Sequence, residues 1–200
     1  MKAPPVPSLG VLDWAYVLGG LAIGIALIFC LLYNTAGNYK GRVFTFVNFW
    51  FIMSGVIHSW IEFMFVFYRN STIIGNGMDL YAAADFRYGR PLETGTAAME
   101  AITALIDGPL CIAVAYAAIH GRGWRHPAQI VLCTMQMYGL LWFILHPLFS
   151  DEGMVGHFSS DPVLFWAIAV GMNAPWGIVP PFLFYESFVK ISKAMKVKQG

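Results

Sequence analysis

Charge is scarce in this chain. Only 12% of its 200 residues are charged, where soluble domains carry roughly 25%. Cysteine is scarcer: Cys30, Cys111 and Cys133 all fall in apolar stretches, which argues against a disulfide framework and for reduced packing residues. The five histidines stand apart, at 58, 120, 126, 146 and 157. That scatter does not make the close histidine boxes of membrane di-iron oxygenases, so no metal site is expected. His120 and His126 flank a basic loop and are expected to face water. No CxxC, HExxH, P-loop, GxSxG or GxGxxG arrangement occurs. Nucleotide, flavin and serine-hydrolase chemistry have no support, and no cofactor is expected. No basic patch with interleaved aromatics exists, which excludes nucleic acid as a partner class.

Apolar residues make up 58% of the chain. Five stretches have the roughly 20-residue length a bilayer requires: 12–33, 43–68, 96–119, 127–149 and 162–189. The expected fold class is therefore an all-α membrane protein, a bundle of five transmembrane helices. The first stretch has prolines before it and no small-residue cleavage site, so it is read as a retained span rather than a signal peptide. Lys40, Arg42, Arg122, Arg125, Lys190, Lys193, Lys196 and Lys198 fall on one side of the spans, 8 of the 12 basic residues. The positive-inside rule puts that side, and the carboxyl terminus, in the cytosol. Residues 1–11 are expected to be a flexible lumenal tail, 12–189 the transmembrane domain with a lumenal loop at about 69–95, and 190–200 a basic cytosolic tail. The spacing Lys196-Val197-Lys198-Gln199-Gly200 fits both a KxKxx retrieval signal of the endoplasmic reticulum and an ordinary basic juxtamembrane stretch. Small residues in GGLAIG of span one offer close packing, and apolar span faces permit a homodimer.

Against that apolar background stand a few ionisable residues. His58 and Glu62 lie four apart in VIHSWIEFMFVF and share a helix face. Thr96, Glu100, Thr103 and Asp107 recur at intervals of 4, 3 and 4 along span three. Ionisable groups inside a bilayer nearly always face a bundle interior or a cavity. Helix–helix hydrogen bonding accounts for the threonines of the stripe, but poorly for its two carboxylates. The His58–Glu62 pair alone fits a hydrogen-bonded packing pair, half a metal site or an acid–base pair. A carboxyl group held out of water favours its protonated form, which makes Glu62 a candidate proton donor and His58 a group to relay or share that proton. Span five carries GMNAPWGIVPP, where Pro175, Pro180 and Pro181 are expected to break regular hydrogen bonding. Asn173 and Trp176 share a face there. Asn173 is placed to orient a carboxylate, and Trp176 to offer its ring to a cation. An apolar cavity with carboxylates, an imidazole and an indole suits proton transfer on a greasy substrate: an acid protonates an alkene, the cation is shielded, and a base removes a neighbouring proton.

The stretches GVIHSWIEFMFVFY, YAAADFRYGR, MEAITALIDGPL, QMYG and FWAIAVGMNAPWGIVPP resemble, in order, the emopamil-binding protein family of 3β-hydroxysteroid Δ8,Δ7-isomerases, which shares its domain type with the sigma-2 receptor. The resemblance covers most of residues 50–182. It implies a five-helix bundle with a lipid-accessible cavity and a sterol Δ8→Δ7 isomerase of the endoplasmic reticulum membrane. By that resemblance His58 and Glu62 are the proton-donating pair and Glu100 the second acid. Thr103 and Asn173 are polar supports, Trp176 the cation-facing ring, and Tyr88 a cavity neighbour within the Asp85–Arg87–Tyr88 motif. Cationic amphiphilic amines are the implied ligands beside the sterol or terpenoid substrate and membrane lipid. Three positions depart from the animal members: Asp107 stands in place of a tryptophan, Leu140 in place of an aspartate, and His146 within ILHPLF replaces an acidic ending. These changes adjoin the expected cavity, and Asp107 joins the expected substrate-binding residues. They keep two further readings open. One is a related isomerase or epoxide-opening enzyme acting on a non-sterol terpenoid. The other is a non-catalytic sterol- or amine-binding receptor.

Overall fold

A computed structural model describes residues 11–68 and 72–197. Five of its helical stretches are long and apolar enough to cross a bilayer: α1 (Val11–Thr35), α2 (Phe46–Phe67), α4 (Thr94–Ile119), α5 (Arg125–Phe149), and a fifth that opens at Leu164–Val170 and continues as α7 (Ala174–Val197). Helices suit this solvent because lipid offers backbone groups no partner, so each segment satisfies its own. Two further helices, α3 (Thr72–Ala84) and the short α6 (Gly153–His157), lie on the side of the bundle where α2 ends and α5 ends. Among the described residues there is no strand, only one isolated pairing of Asp85 with Phe158. The protein is a multi-pass, all-helical membrane protein. The expected tail at 1–11 lies outside the described residues but for Val11, which opens α1, and the chain end at 198–200 lies outside them.

The main core lies where α1, α2, α4, α5 and α7 meet, at Leu32, Phe51, Cys111, Val114, Leu132 and Leu183. Glycines set how closely the helices approach. A Cβ at Gly108 on α4 would stand 2.7 Å from the Ser59 backbone nitrogen and 3.1 Å from its Cα on α2. Backbone cannot swing aside, so Gly108→Ala is expected to cost about 1–3 kcal/mol by overpacking and to lower activity by driving α2 and α4 apart. Thermal unfolding in detergent, read beside turnover, checks this; an unchanged midpoint would show that the contact yields. Gly20 and Gly24 of GGLAIG admit the Trp60 ring and Val56 of α2. Those two glycines thus serve packing within the chain, whereas a Cβ at Gly19 would meet open space.

Three segments leave the α-helical ladder for wider π-helical turns: Ile57–Glu62 within α2, Thr103–Asp107 within α4, and Leu164–Val170 before α7. The first two pack directly against each other. Such bulges recur at functional sites because the extra residue re-aims the side chains around it. The third ends in a turn at Gly171–Asn173, after which α7 continues as helix through Pro180 and Pro181. Pro180 and Pro181 have no N–H to give the helical ladder, so regular hydrogen bonding is interrupted there while the helix itself goes on. The helix itself breaks upstream, at the 171–173 turn, and Pro175 sits in the first turn of α7, where a missing N–H costs nothing. α7 also continues past 189, so the basic stretch from Lys190 to Val197 is helix, with Lys190 paired to Glu186 one turn back.

The expected lumenal loop at 69–95 is largely structured. α3 packs against α1 and the segment before α7. After it, Asp85 and Arg87 form an ion pair with both side chains fully buried. Arg87 Nε lies 2.9 Å from Asp85 Oδ1 and Nη2 2.6 Å from Oδ2, while Nη1 donates to the Phe143 carbonyl at 3.0 Å. The guanidinium also lies 4.5 Å from the Phe143 ring centre and 5.2 Å from that of Phe158. Burial opposes the charge on Arg87, but the Asp85 carboxylate more than restores it, holding its pKa above the ordinary value. This strut fastens the segment to α5, so it forms a wall of the bundle rather than a surface strap. The segment ends at Glu93, whose carboxylate caps α4 by accepting from the Gly95 and Thr96 amides at 2.8 and 2.7 Å. Partial burial works against that carboxylate, yet these donors and the Thr96 hydroxyl hold its pKa below the usual value.

On the opposite side, His120 and His126 are not simply turned to water. His120 packs on the Tyr116 ring with centres 4.2 Å apart, and His126 Nδ1 lies 2.9 Å from the Ser187 hydroxyl.

Candidate active site

One cavity gathers His58, Glu62, Tyr88, Glu100, Thr103, Asp107, Asn173 and Trp176 from α2, α4, the 86–88 turn and the start of α7. Every residue singled out from the sequence as catalytic or substrate-binding therefore lines a single space. Leu140 lines it too; His146 does not, and stands instead 3.8 Å from Glu93 at the end of the bundle.

At the centre is a pair within the π turn of α2. His58 Nδ1 lies 2.7 Å from Glu62 Oε1. The other carboxyl oxygen, Glu62 Oε2, lies 2.6 Å from the Thr103 hydroxyl of α4, which is also 2.9 Å from the Glu100 backbone carbonyl. A hydroxyl has one proton to donate and can accept others. The contact thus serves both forms of Glu62. The carboxylate accepts from Thr103; the acid donates to Thr103, whose own proton then turns to the Glu100 carbonyl.

Glu100 is held separately. The Tyr88 hydroxyl donates to Glu100 Oε1 at 2.6 Å. Burial first, and then the facing Glu100 carboxylate, hold the Tyr88 pKa well above its ordinary value, so Tyr88 remains a donor. The Tyr88 ring is fixed between Phe65, 5.5 Å away and stacked, and Tyr81, 4.6 Å away and edge-on. Trp176 closes the inner wall, its ring 5.8 Å from His58 and 5.3 Å from Trp50.

Asn173 corrects an expectation. Its amide donates to the Tyr81 hydroxyl at 2.6 Å and to the Ala169 carbonyl at 2.8 Å, so it orients a tyrosine rather than a carboxylate. The turn at 171–173 brings it to the end of α3, far away in sequence. Tyr81 lies outside the spans, where nothing in the sequence marks an aromatic as inward-facing. Gln136 also lines the cavity and was legible: an amide in the middle of span four carries the same signal as Glu100. Among the described residues, no cluster of His, Cys, Asp and Glu has the arrangement to hold a metal ion.

The family model for EXPERA, the expanded EBP superfamily, matches residues 68–187. A probable 3-beta-hydroxysteroid-Delta(8),Delta(7)-isomerase of Oryza sativa is 30% identical across 74% of this chain and 68% of its own length. The 3-beta-hydroxysteroid-Delta(8),Delta(7)-isomerase of Rattus norvegicus is also 30% identical, across 74% of this chain and 65% of its own. Isomeliandiol synthase of Melia azedarach is 23% identical across 86% and 82%. With the five-helix bundle and the buried acid cluster, the extent of these matches places the chain in the EXPERA family, the expanded EBP superfamily.

Proposed function

We propose that the protein is a sterol isomerase that moves a ring double bond from Δ8 to Δ7. The observation carrying this reading is the placement of two independently held carboxyl groups, Glu62 on His58 and Thr103, and Glu100 on Tyr88, around one membrane-buried cavity. The sterol isomerase names of its relatives support the same substrate class.

Glu62, as the acid, donates its proton to carbon 9 of the alkene. The π electrons form the new C–H bond, and a tertiary cation remains at carbon 8. The Trp176 ring face and the Glu100 carboxylate stabilise that charge where water is excluded. Glu100 then takes a proton from carbon 7, and that C–H pair becomes the Δ7 bond. Returning the proton from Glu100 to Glu62, with His58 and Thr103 as supports, resets the site. One proton enters the substrate and one leaves it, so no redox partner is needed.

The direct test incubates purified protein in nanodiscs with a Δ8-sterol in deuterated buffer. The expected product is a Δ7-sterol with one solvent deuteron at carbon 9, read by mass spectrometry and NMR. Unchanged, undeuterated substrate from protein that still binds an ammonium ligand would refute the sterol reaction. The changed lining at Asp107 and Leu140, with the isomeliandiol synthase relative, favours an oxygenated terpenoid as the next substrate to try.

Cationic amphiphilic amines are expected to bind as mimics of the cation. Trp176→Leu should weaken an ammonium ligand more than a neutral sterol, by up to about 2 kcal/mol or some thirtyfold. Equal losses for both ligands in competition binding would reduce Trp176 to packing. We place the protein in the endoplasmic reticulum membrane, and a cytosolic carboxyl terminus there accords with the side bearing Lys40, Arg42, Arg122, Arg125 and the lysines of α7. Protease protection of a terminal tag in microsomes tests it. Crosslinking in native membrane tests the homodimer, for which finding monomer alone would be decisive against.

A further inference from the structure

At the positively charged end of the bundle, apart from the acid cluster, two apolar grooves open where α1 meets the start of α2. Ala26, Cys30 and Tyr33 line one, Phe46 and Phe49 the other, and both share the Phe29 and Phe44 rings. Those two rings stack with centres 5.5 Å apart, and Phe44 is 70% exposed. The turn that carries Phe44 is firmly held. Asn48 is buried, and its Nδ2 donates to the Arg42 and Val43 carbonyls at 2.7 and 3.3 Å. The Thr45 hydroxyl caps α2 by accepting from the Asn48 amide. Val43, next to Phe44, is fully buried. The grooves are therefore built features of the α1–α2 junction, on a surface that meets acyl chains.

A cation stands at the mouth of the first groove. Lys40 Nζ lies 4.8 Å from the Tyr33 ring centre, and that ring lies 5.9 Å from Phe44. The surface thus passes from apolar to aromatic to charged. Asn34 lines the same groove and adds amide donors. Across the segments at this end, 33–45, 119–126 and 186–200, Glu186 is the only acidic residue, and it pairs with Lys190 and Arg125. Among the described residues Lys40 therefore meets no carboxylate. An apolar groove that faces a bilayer is filled by lipid, and the cation decides which lipid stays. An ammonium amphiphile is repelled by Lys40, and a neutral sterol leaves it unanswered. A fatty acid fills one groove of the two. A zwitterionic headgroup offsets its phosphate with a cation of its own. We propose that the α1–α2 junction binds one anionic diacyl phospholipid, with its headgroup on Lys40 and Asn34 and one chain in each groove. The site is independent of the isomerase reading. It accords with the orientation given by the positive charges, since anionic lipid is concentrated in the cytosolic leaflet.

The test counts bound lipid by native mass spectrometry on the full chain, released from nanodiscs that hold equal amounts of dioleoyl phosphatidylserine and dioleoyl phosphatidylcholine. The native protein is expected to retain the serine lipid about fivefold over the choline lipid, the attraction one lysine exerts near a membrane surface. Lys40→Gln should bring that preference within about twofold. Lys193→Gln removes the same charge from an exposed position of α7 outside the grooves and should leave the preference as it is. Ala26→Trp fills one groove. It should weaken both diacyl lipids and spare single-chain lysophosphatidylserine, which the other groove still takes. Lys40, Lys193 and Ala26 are all exposed, so each variant should keep the fold. Equal retention of the two lipids by the native protein, or a preference that survives Lys40→Gln, would overturn the site. An equal loss in Lys193→Gln would do so too, by assigning the preference to diffuse surface charge. Unchanged retention in Ala26→Trp would remove the chains from these grooves. A Cys30–Cys30 crosslink formed in native membrane would put a second copy of the chain there in place of lipid.

Discussion

Glu62→Gln is expected to reduce turnover by roughly a hundred- to ten-thousandfold, the range for removing a positioned acid or base, while leaving the fold intact. The amide nearly matches the acid in shape and still meets Thr103 and His58, which stand 2.6 and 2.7 Å from the two carboxyl oxygens. It has no proton acidic enough to give an alkene. Glu100→Gln should fall by a similar factor for a different reason: the amide still accepts from Tyr88 but cannot take up a proton from carbon 7. The two losses should be far from additive, because both groups act on one substrate in one cycle. Affinity for a neutral sterol should change little in either variant. Steady-state turnover beside ligand binding measures this, and full activity in both variants would end the assignment of the carboxyl groups.

The largest expected loss of stability comes from Arg87→Met. It leaves the Asp85 carboxylate fully buried with no cation beside it, and breaking such a pair costs about 3–5 kcal/mol. The backbone amide of Arg87 would still reach Asp85 Oδ1, which moderates the loss without removing the charge. The double change Asp85→Leu with Arg87→Met should recover much of the stability, because two apolar groups bear no desolvation penalty. Thermal unfolding in a single detergent gives the comparison. A double variant no more stable than the single one would show that the network with Phe143 and Phe158, rather than the unpaired charge, dominates. Activity should fall in both, since residue 88 follows directly and its hydroxyl orients Glu100.

Much of the candidate site was legible because polarity within a span is a local signal with a single outlet. His58, Glu62, Glu100, Thr103 and Asp107 all stood out against apolar neighbours, and lipid leaves such groups nowhere to face but inward. The periodicity behind the stripe at 96, 100, 103 and 107 assumed an unbroken α-helix. The π turn at Thr103–Asp107 widens that spiral, and Thr96 is drawn to the Glu93 cap instead. Outside the spans the signal failed. Asp85 and Arg87 look like any charged pair of a loop, and only the presence of α5 and Phe158 makes them interior. Likewise Asn173 could not disclose Tyr81, 92 residues earlier, as its partner.

The sequence by itself determined the number of spans, the side bearing the positive charge and the identity of the buried acids. Each follows from local composition measured against a solvent of fixed thickness and low polarity. Tertiary structure alone decided that the first two π turns meet, that Thr103 of one helix supports Glu62 of another, that the 85–93 segment is a wall, and that Asp107, Gln136 and Trp176 share one cavity. These are pairings between groups far apart along the chain. Their energies depend on distances of a few ångströms, which only the packed bundle sets.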